Sequence, residues 1–227
     1  MFRKAIVRSI AEMQLDTIRK YANEMENTNT FKSQKLSRVI EEQSKTLTEE
    51  ELDICLEYIQ DDLIDLNINF PSLLRYSVVV ATYSTMEEAF LGIVKPHMAN
   101  RYKDELKLNR NFDKRLNELV GKSNLLKQLG IYMAKEMDFE FPFNSKEWKF
   151  LMDLNIIRNN IVHCNGRTWD DKYPERLKRV IALYGSINYG PNKEIVLERE
   201  FISFMISQVE KFLFLLLEPV NFEIDIE

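Results

Sequence analysis

Residues Trp148 to Gly166 read WKFLMDLNIIRNNIVHCNG. Wound at about 100° per residue, the stretch sorts into faces. Phe150, Leu151, Leu154, Ile157 and Ile161 recur at the i, i+3, i+4 spacing of a helix packed on a core. Asn155, Asn159 and His163 recur at i, i+4, i+8 and form a polar stripe. Arg158 falls at the border, where its stem can lie on apolar surface while the guanidinium turns toward the amides and the imidazole. A permanent cation, two amides and a titratable ring therefore gather at one edge of an otherwise greasy helix. That is the composition of a site rather than of a solvated face.

The flanking sequence is built the same way. With 227 residues, 45% hydrophobic and 30% charged, the chain has the composition of a soluble globular protein with one well-buried domain. Only 6 Gly and 6 Pro are present, few for short strands and tight turns, whereas Leu, Ile, Lys and Glu favour helices. An all-α fold follows. Upstream, Phe2 to about Met25 carries Ile6, Ile10, Met13, Ile18 and Tyr21 as the apolar face of an amphipathic helix. Asn27–Thr30 should interrupt it, and Phe31–Lys45 should be a weaker, polar helix. Thr48-Glu-Glu-Glu51 is a capping box, predicting a helix to about Asn67 with Leu52, Cys55, Leu56, Ile59 and Leu63 inward.

Pro71 suits the first turn of the next helix. This one is apolar on nearly every face from Val78 to Val94, belongs in the middle of a fold, and should end near Pro96. Met98–Asn111 is polar and partly helical. Arg115–Met137 reads as a helix broken or bent near Gly121 or Gly130, and Phe139–Phe143 as a loop with apolar anchors. Asn144 and Ser145 then start the central helix, and Gly166 stops it. Beyond it come a short helix from Pro174 to about Tyr184, one short β-hairpin at about 186–197, and a closing helix from Glu198 to Leu217. Pro219 stops that helix, and the acidic end NFEIDIE reads as loose. Residues 1–68 are read as an N-terminal helical extension and 69–227 as the main helical domain.

Charge is uneven along the chain. Glu41–Asp65 holds ten acidic residues against one lysine, whereas Arg158–Val180 holds six cations against three carboxylates. On a protein of net charge −5, the surroundings of the stripe can focus an anionic substrate. The N-terminus lacks the apolar run of a signal peptide. The uncharged windows fall short of the ~20 residues that cross a bilayer. Two cysteines are too few for a disulfide framework, so a cytoplasmic setting with no membrane association is expected. His97, His163, Cys55 and Cys164 lack the paired spacing of a zinc site. No phosphate loop, nucleophile elbow or HExxH is present. No metal and no cofactor are expected.

What remains is Arg158-Asn-Asn-Ile-Val-His163, with Asn159 directly after the arginine and Tyr83-Ser84-Thr85-Met86-Glu87 in an earlier apolar helix. The pattern resembles the HEPN superfamily, helical domains whose active members are metal-independent ribonucleases. That family carries Arg, four to six residues, then His, and its branches show a YSxxE segment. The resemblance covers about Pro71 to Pro219 and implies a multi-helix up-and-down bundle. It also implies a homodimer in which two motifs form one composite site. The implied setting is toxin–antitoxin, abortive infection or other phage defence, with a neutralising antitoxin protein as partner. In one toxin branch a tyrosine two residues after the histidine is modified by the antitoxin. Here that position is Asn165, so regulation of that type is not expected.

The chemistry can be argued apart from the family. RNA carries its own nucleophile, the 2′-hydroxyl, beside each phosphodiester. Cutting needs a proton removed, charge stabilised on phosphorus, and a leaving oxygen protonated. Histidine as a residue type suits proton transfer, worth typically 10²–10⁴-fold, and arginine matches phosphate oxygens with a planar fork. His163 is therefore the candidate acid or base, Arg158 the phosphate clamp, and Asn159 the orienter of the imidazole or of the scissile phosphate. Glu87 would hold Arg158, with Ser84 a minor polar contact. Asn155 and Arg167 are further candidate contacts to substrate. The rival reading is a non-catalytic helical module binding a nucleotide or another protein, which the net charge and the acidic Glu41–Asp65 segment favour.

Overall fold

The computed structural model describes residues 2–102 and 111–217, leaving aside the side chains of residues 2 and 3. The chain is mostly helical. In order it forms α1 (Phe2–Gln43), α2 (Glu49–Ile64), a π-helical turn (Asp65–Asn69), α3 (Phe70–Arg101), α4 (Phe112–Val120), α5 (Leu125–Glu136), α6 (Lys146–Cys164), α7 (Pro174–Leu183), β1 (Ile187–Tyr189), β2 (Ile195–Leu197) and α8 (Arg199–Leu217). Part of the polar stretch Met98–Asn111, the stop at Pro219 and the acidic end lie outside the described residues. Two compact units divide the chain: Met1–Asp16 with Thr82–Asn155 and Ile206–Glu227, and Thr17–Ala81 with Ile156–Met205.

In the first unit the core is aromatic. Phe141, anchored in the 139–143 loop as expected, meets Phe90 edge-on at 5.9 Å and Trp148 edge-on at 5.0 Å. Phe90 in turn stacks on Phe212 at 6.1 Å. The break between α4 and α5 falls at Gly121, whose φ is +79°. Gly130 stays inside α5 and lies against Phe141, whose ring a Cβ there would meet at 2.8 Å. Helix α3 does not end near Pro96 but runs on to Arg101. Proline removes one backbone bond, and tertiary contacts offset it: Met98 is fully buried, and Arg101 pairs with Glu136 at 3.2 Å.

The start of α1 departs from the expected face. Ile6, Ile10 and Met13 are 42%, 49% and 69% exposed, while Ala11 and Leu15 are buried. A small residue lets a helix backbone approach its neighbours closely, and side-chain size counts for less than fit.

In the second unit α1 is uninterrupted through Asn27–Thr30. Thr30 Oγ1 donates back to the Glu26 carbonyl at 2.9 Å, and Asn27 Oδ1 accepts from Arg199 at 2.9 Å. Arg75 grips Glu26 with Nε and Nη2 at 2.6 and 3.0 Å and donates Nη1 to the Leu197 carbonyl at 2.8 Å. These tertiary bonds hold helical a segment whose local preferences favour a turn. The capping box at Thr48 forms as expected. The predicted inward face of α2 is only half-covered, and no α2 residue is buried.

At the junction with α3 the Phe70 amide donates to Asp65 O across a π turn, next to Pro71, which has no amide proton to give. By length and composition the run Glu49–Arg101 contains a window apolar enough to cross a membrane, but 56% of that window is buried, as in a core helix. β1 and β2 pair antiparallel, Ile187 with Leu197 and Tyr189 with Ile195. This is the expected hairpin, with Ile187, Ile195 and Leu197 packed inward.

Candidate active site

Helix α6 starts where Ser145 Oγ accepts from the Trp148 amide at 3.0 Å and ends in a built turn. Asn165 and Gly166 both take left-handed backbone, φ +51° and +79°. Tyr76 lies so close to Gly166 that a Cβ there would overlap its hydroxyl. That hydroxyl donates to the Ile195 carbonyl at 2.5 Å. Burial first, and the nearby Glu194 carboxylate second, push the Tyr76 phenol up to about 12, against a lowering hydrogen bond from Ser72. The turn is thus fixed by a rigid aromatic wall, and α6 presents its last two turns at a set angle to the chain that follows.

Within the second unit those last turns carry Arg158, Asn159 and His163. Arg158 and Asn159 are half-buried, and His163 is exposed. Arg158 Nη1 donates to Asn159 Oδ1 at 3.1 Å. On an ideal helix Arg158 and His163 stand about 140° apart, whereas Asn159 and His163 stand about 40° apart. The guanidinium therefore reaches the stripe by bending round to Asn159, which faces the same side as the imidazole. Arg167 lies one loop further on, half-exposed. It donates Nε to the Cys164 carbonyl at 3.2 Å and pairs with Asp170 at 2.9 Å.

The remaining candidates lie in the first unit. Asn155 is 9% exposed and accepts the Tyr83 hydroxyl at 2.8 Å. Ser84 is half-buried. Glu87 is half-buried, whereas Glu88 is exposed and accepts from Gln14 at 3.4 Å. The polar stripe is thus not uniform: its first amide is enclosed, and its last member is open to solvent. Among the described residues no three His, Cys, Asp or Glu side chains converge as a metal site would.

Comparison of the chain with family models, curated proteins and solved structures gives no match.

Three features of the site went unread in the sequence. Asn160, at the border of the apolar face of α6 opposite Arg158 and 1% exposed, donates Nδ2 to the Arg167 carbonyl at 3.1 Å and to Asp171 Oδ2 at 2.9 Å. Its spacing, about 110° from the middle of the apolar face, gave no signal of that burial. Second, Tyr76 seals the turn. Third, Trp169 and Tyr173 stand 54% and 59% exposed on the loop that Asn160 holds. Cys164, beside them, donates Sγ to the Asp170 carbonyl at 3.4 Å. Its thiol is pushed up from the ordinary range by burial, then by Asp171 and Asp170, against a lowering effect of Arg167.

Proposed function

We propose that the chain is a metal-independent endoribonuclease of HEPN type, working in the cytoplasm as a toxin or defence effector and restrained by a separate antitoxin protein. The observation that carries the proposal is the Arg158–Asn159 hydrogen bond at 3.1 Å, beside an exposed His163 one helical turn on. A planar cation is steered toward the side of the helix that carries a solvent-accessible imidazole. A phosphodiester seated there would meet a charge clamp and a proton carrier together. The mostly helical fold and the cation-rich stretch Arg158–Val180 support the same reading.

In this mechanism His163 takes the proton from the 2′-hydroxyl or gives one to the departing 5′-oxygen. Arg158 offsets charge on the phosphorane, and Asn159 holds the arginine. One histidine cannot do both proton transfers at once, so a homodimer supplies the second from its own copy of the motif.

The test is incubation of the purified chain with mixed RNA in a chelator. Cleavage leaving 2′,3′-cyclic phosphate ends is expected, with His163→Ala and Arg158→Ala each abolishing it while the melting temperature stays put. Alanine variants that cut like the parent would overturn the assignment. So would a monomer at micromolar concentration by light scattering, for the composite site.

A further inference from the structure

We propose that Trp169–Arg176 is a stacking platform for single-stranded RNA, in which Trp169 and Tyr173 take bases and Lys172 and Arg176 take the phosphates between them. This rests on the ribonuclease reading only in that RNA is the ligand.

Two large aromatic rings stand more than half exposed within five residues, and the loop that carries them is built rather than slack. Asn160, 1% exposed, holds its two ends through the Arg167 carbonyl and Asp171. Thr168 donates both its amide and its hydroxyl to the Lys193 carbonyl, at 3.2 and 2.6 Å. The Tyr173 amide donates to Asp171 Oδ1 at 2.7 Å. The rings are therefore held out in water by a loop tied down through several polar bonds, so a ligand stacking on them orders little further chain.

The charges fit an anion threaded between the rings. Each carboxylate of the segment is engaged locally: Asp170 with Arg167 at 2.9 Å, Glu175 with Lys178 at 2.7 Å, and Asp171 with Asn160 and the Tyr173 amide. With Asp170 and Glu175 each offset by a cation, Lys172, Arg176 and Arg179 stand against the one carboxylate left, Asp171, for a net positive charge. Lys172 Nζ lies 5.4 Å from the Tyr173 ring centroid, and a recess of about 390 Å³ opens between Lys172 and Arg176.

Alternating aromatic rings and cations are what a flexible, unpaired strand requires, because every base has a face to stack and every linkage a charge to meet. A duplex hides its bases. A membrane surface asks for a continuous apolar face, and three carboxylates interrupt this one.

The experiment titrates the full chain with a labelled 2′-O-methyl oligouridine 12-mer, which has no 2′-hydroxyl to attack and so reports binding without cutting. The chain has two tryptophans, and Trp148 is buried, so Trp169 is the emitter that ligand can reach. Binding should quench it. Trp169→Phe should remove the quench and keep the affinity. Trp169→Ala and Tyr173→Ala should each weaken binding about five- to 100-fold, and Arg176→Gln should lower the salt slope by about one.

Unchanged affinity in both alanine variants overturns the platform, as does quenching by anionic vesicles or an RNA duplex but not by the single strand. The two proposals fail separately. Binding through these rings by a chain that never cleaves unmodified RNA keeps the platform and removes the nuclease. Cleavage unaltered by Trp169→Ala and Tyr173→Ala keeps the nuclease and removes the platform.

Discussion

Tyr83 donates its hydroxyl to Asn155 Oδ1 at 2.8 Å, and both side chains are at least nine-tenths buried. The bond joins the Tyr-Ser-Thr-Met-Glu segment of α3 to the first amide of the α6 stripe, inside the first unit. Removing either partner strands the other away from water. Tyr83→Phe and Asn155→Ala should each lower unfolding stability by about 1–3 kcal/mol in urea titrations. The double variant should lose less than the sum. RNA affinity should be unchanged, since Asn155 is occupied within the fold.

Glu26 and Arg75 form a two-pronged ion pair with side chains 9% and 16% exposed. Glu26→Ala leaves a guanidinium enclosed beside the Leu197 carbonyl. A loss of about 3–5 kcal/mol is expected, with helix content falling around residues 26–30 by amide exchange, because local preference there favours a turn. A stability change under about 1 kcal/mol would show that this pair does not hold α1 together.

Gly166→Ala should be far worse than Gly185→Ala. The first puts a methyl group into the Tyr76 hydroxyl at a left-handed φ of +79°, while the second meets nothing within 4 Å. The expected costs are at least about 2 kcal/mol for Gly166 and within about 0.5 kcal/mol for Gly185. Thermal melts of the two variants compare them directly.

Two buried phenols set an alkaline limit. Tyr76 and Tyr132 are each raised from 10.0 to about 12, chiefly by burial. Both titrate higher in the folded chain than unfolded, so their protonated forms support the fold fully below pH 10. That support is lost as pH climbs toward about 12. Unfolding free energy measured from pH 9 to 12 should fall across that window, and less steeply in Tyr76→Phe.

Asn159→Ala frees Arg158 from the hydrogen bond that turns it toward the imidazole side. In the cleavage assay kcat should drop about ten- to 100-fold, the cost of a misplaced catalytic group, with KM little changed, and Asn159→Gln should restore part of it. If KM rises while kcat holds, Asn159 binds substrate and does not position the arginine.

The sequence by itself determined the helical class, the capping box at Thr48, the hairpin at 187–197, and α6 with its stop at Gly166. Each of these is a local matter of periodicity, a cap or a backbone that only glycine adopts easily. The tertiary structure alone decided which face of α1 is buried, why Asn27–Thr30 stays helical, and why α3 runs through Pro96. In each case tertiary packing outweighs a local preference: the close fit of Ala11, the Glu26–Arg75 pair, and the burial of Met98 beyond Pro96.

The site divides the same way. Arg158, Asn159 and His163 were legible from spacing. The enclosure of Asn155 by Tyr83, the hold of Asn160 on the next loop, and the exposure of Trp169 and Tyr173 were not. Burial and hydrogen-bond partners belong to the folded arrangement, and spacing along a helix says only which residues could share a side.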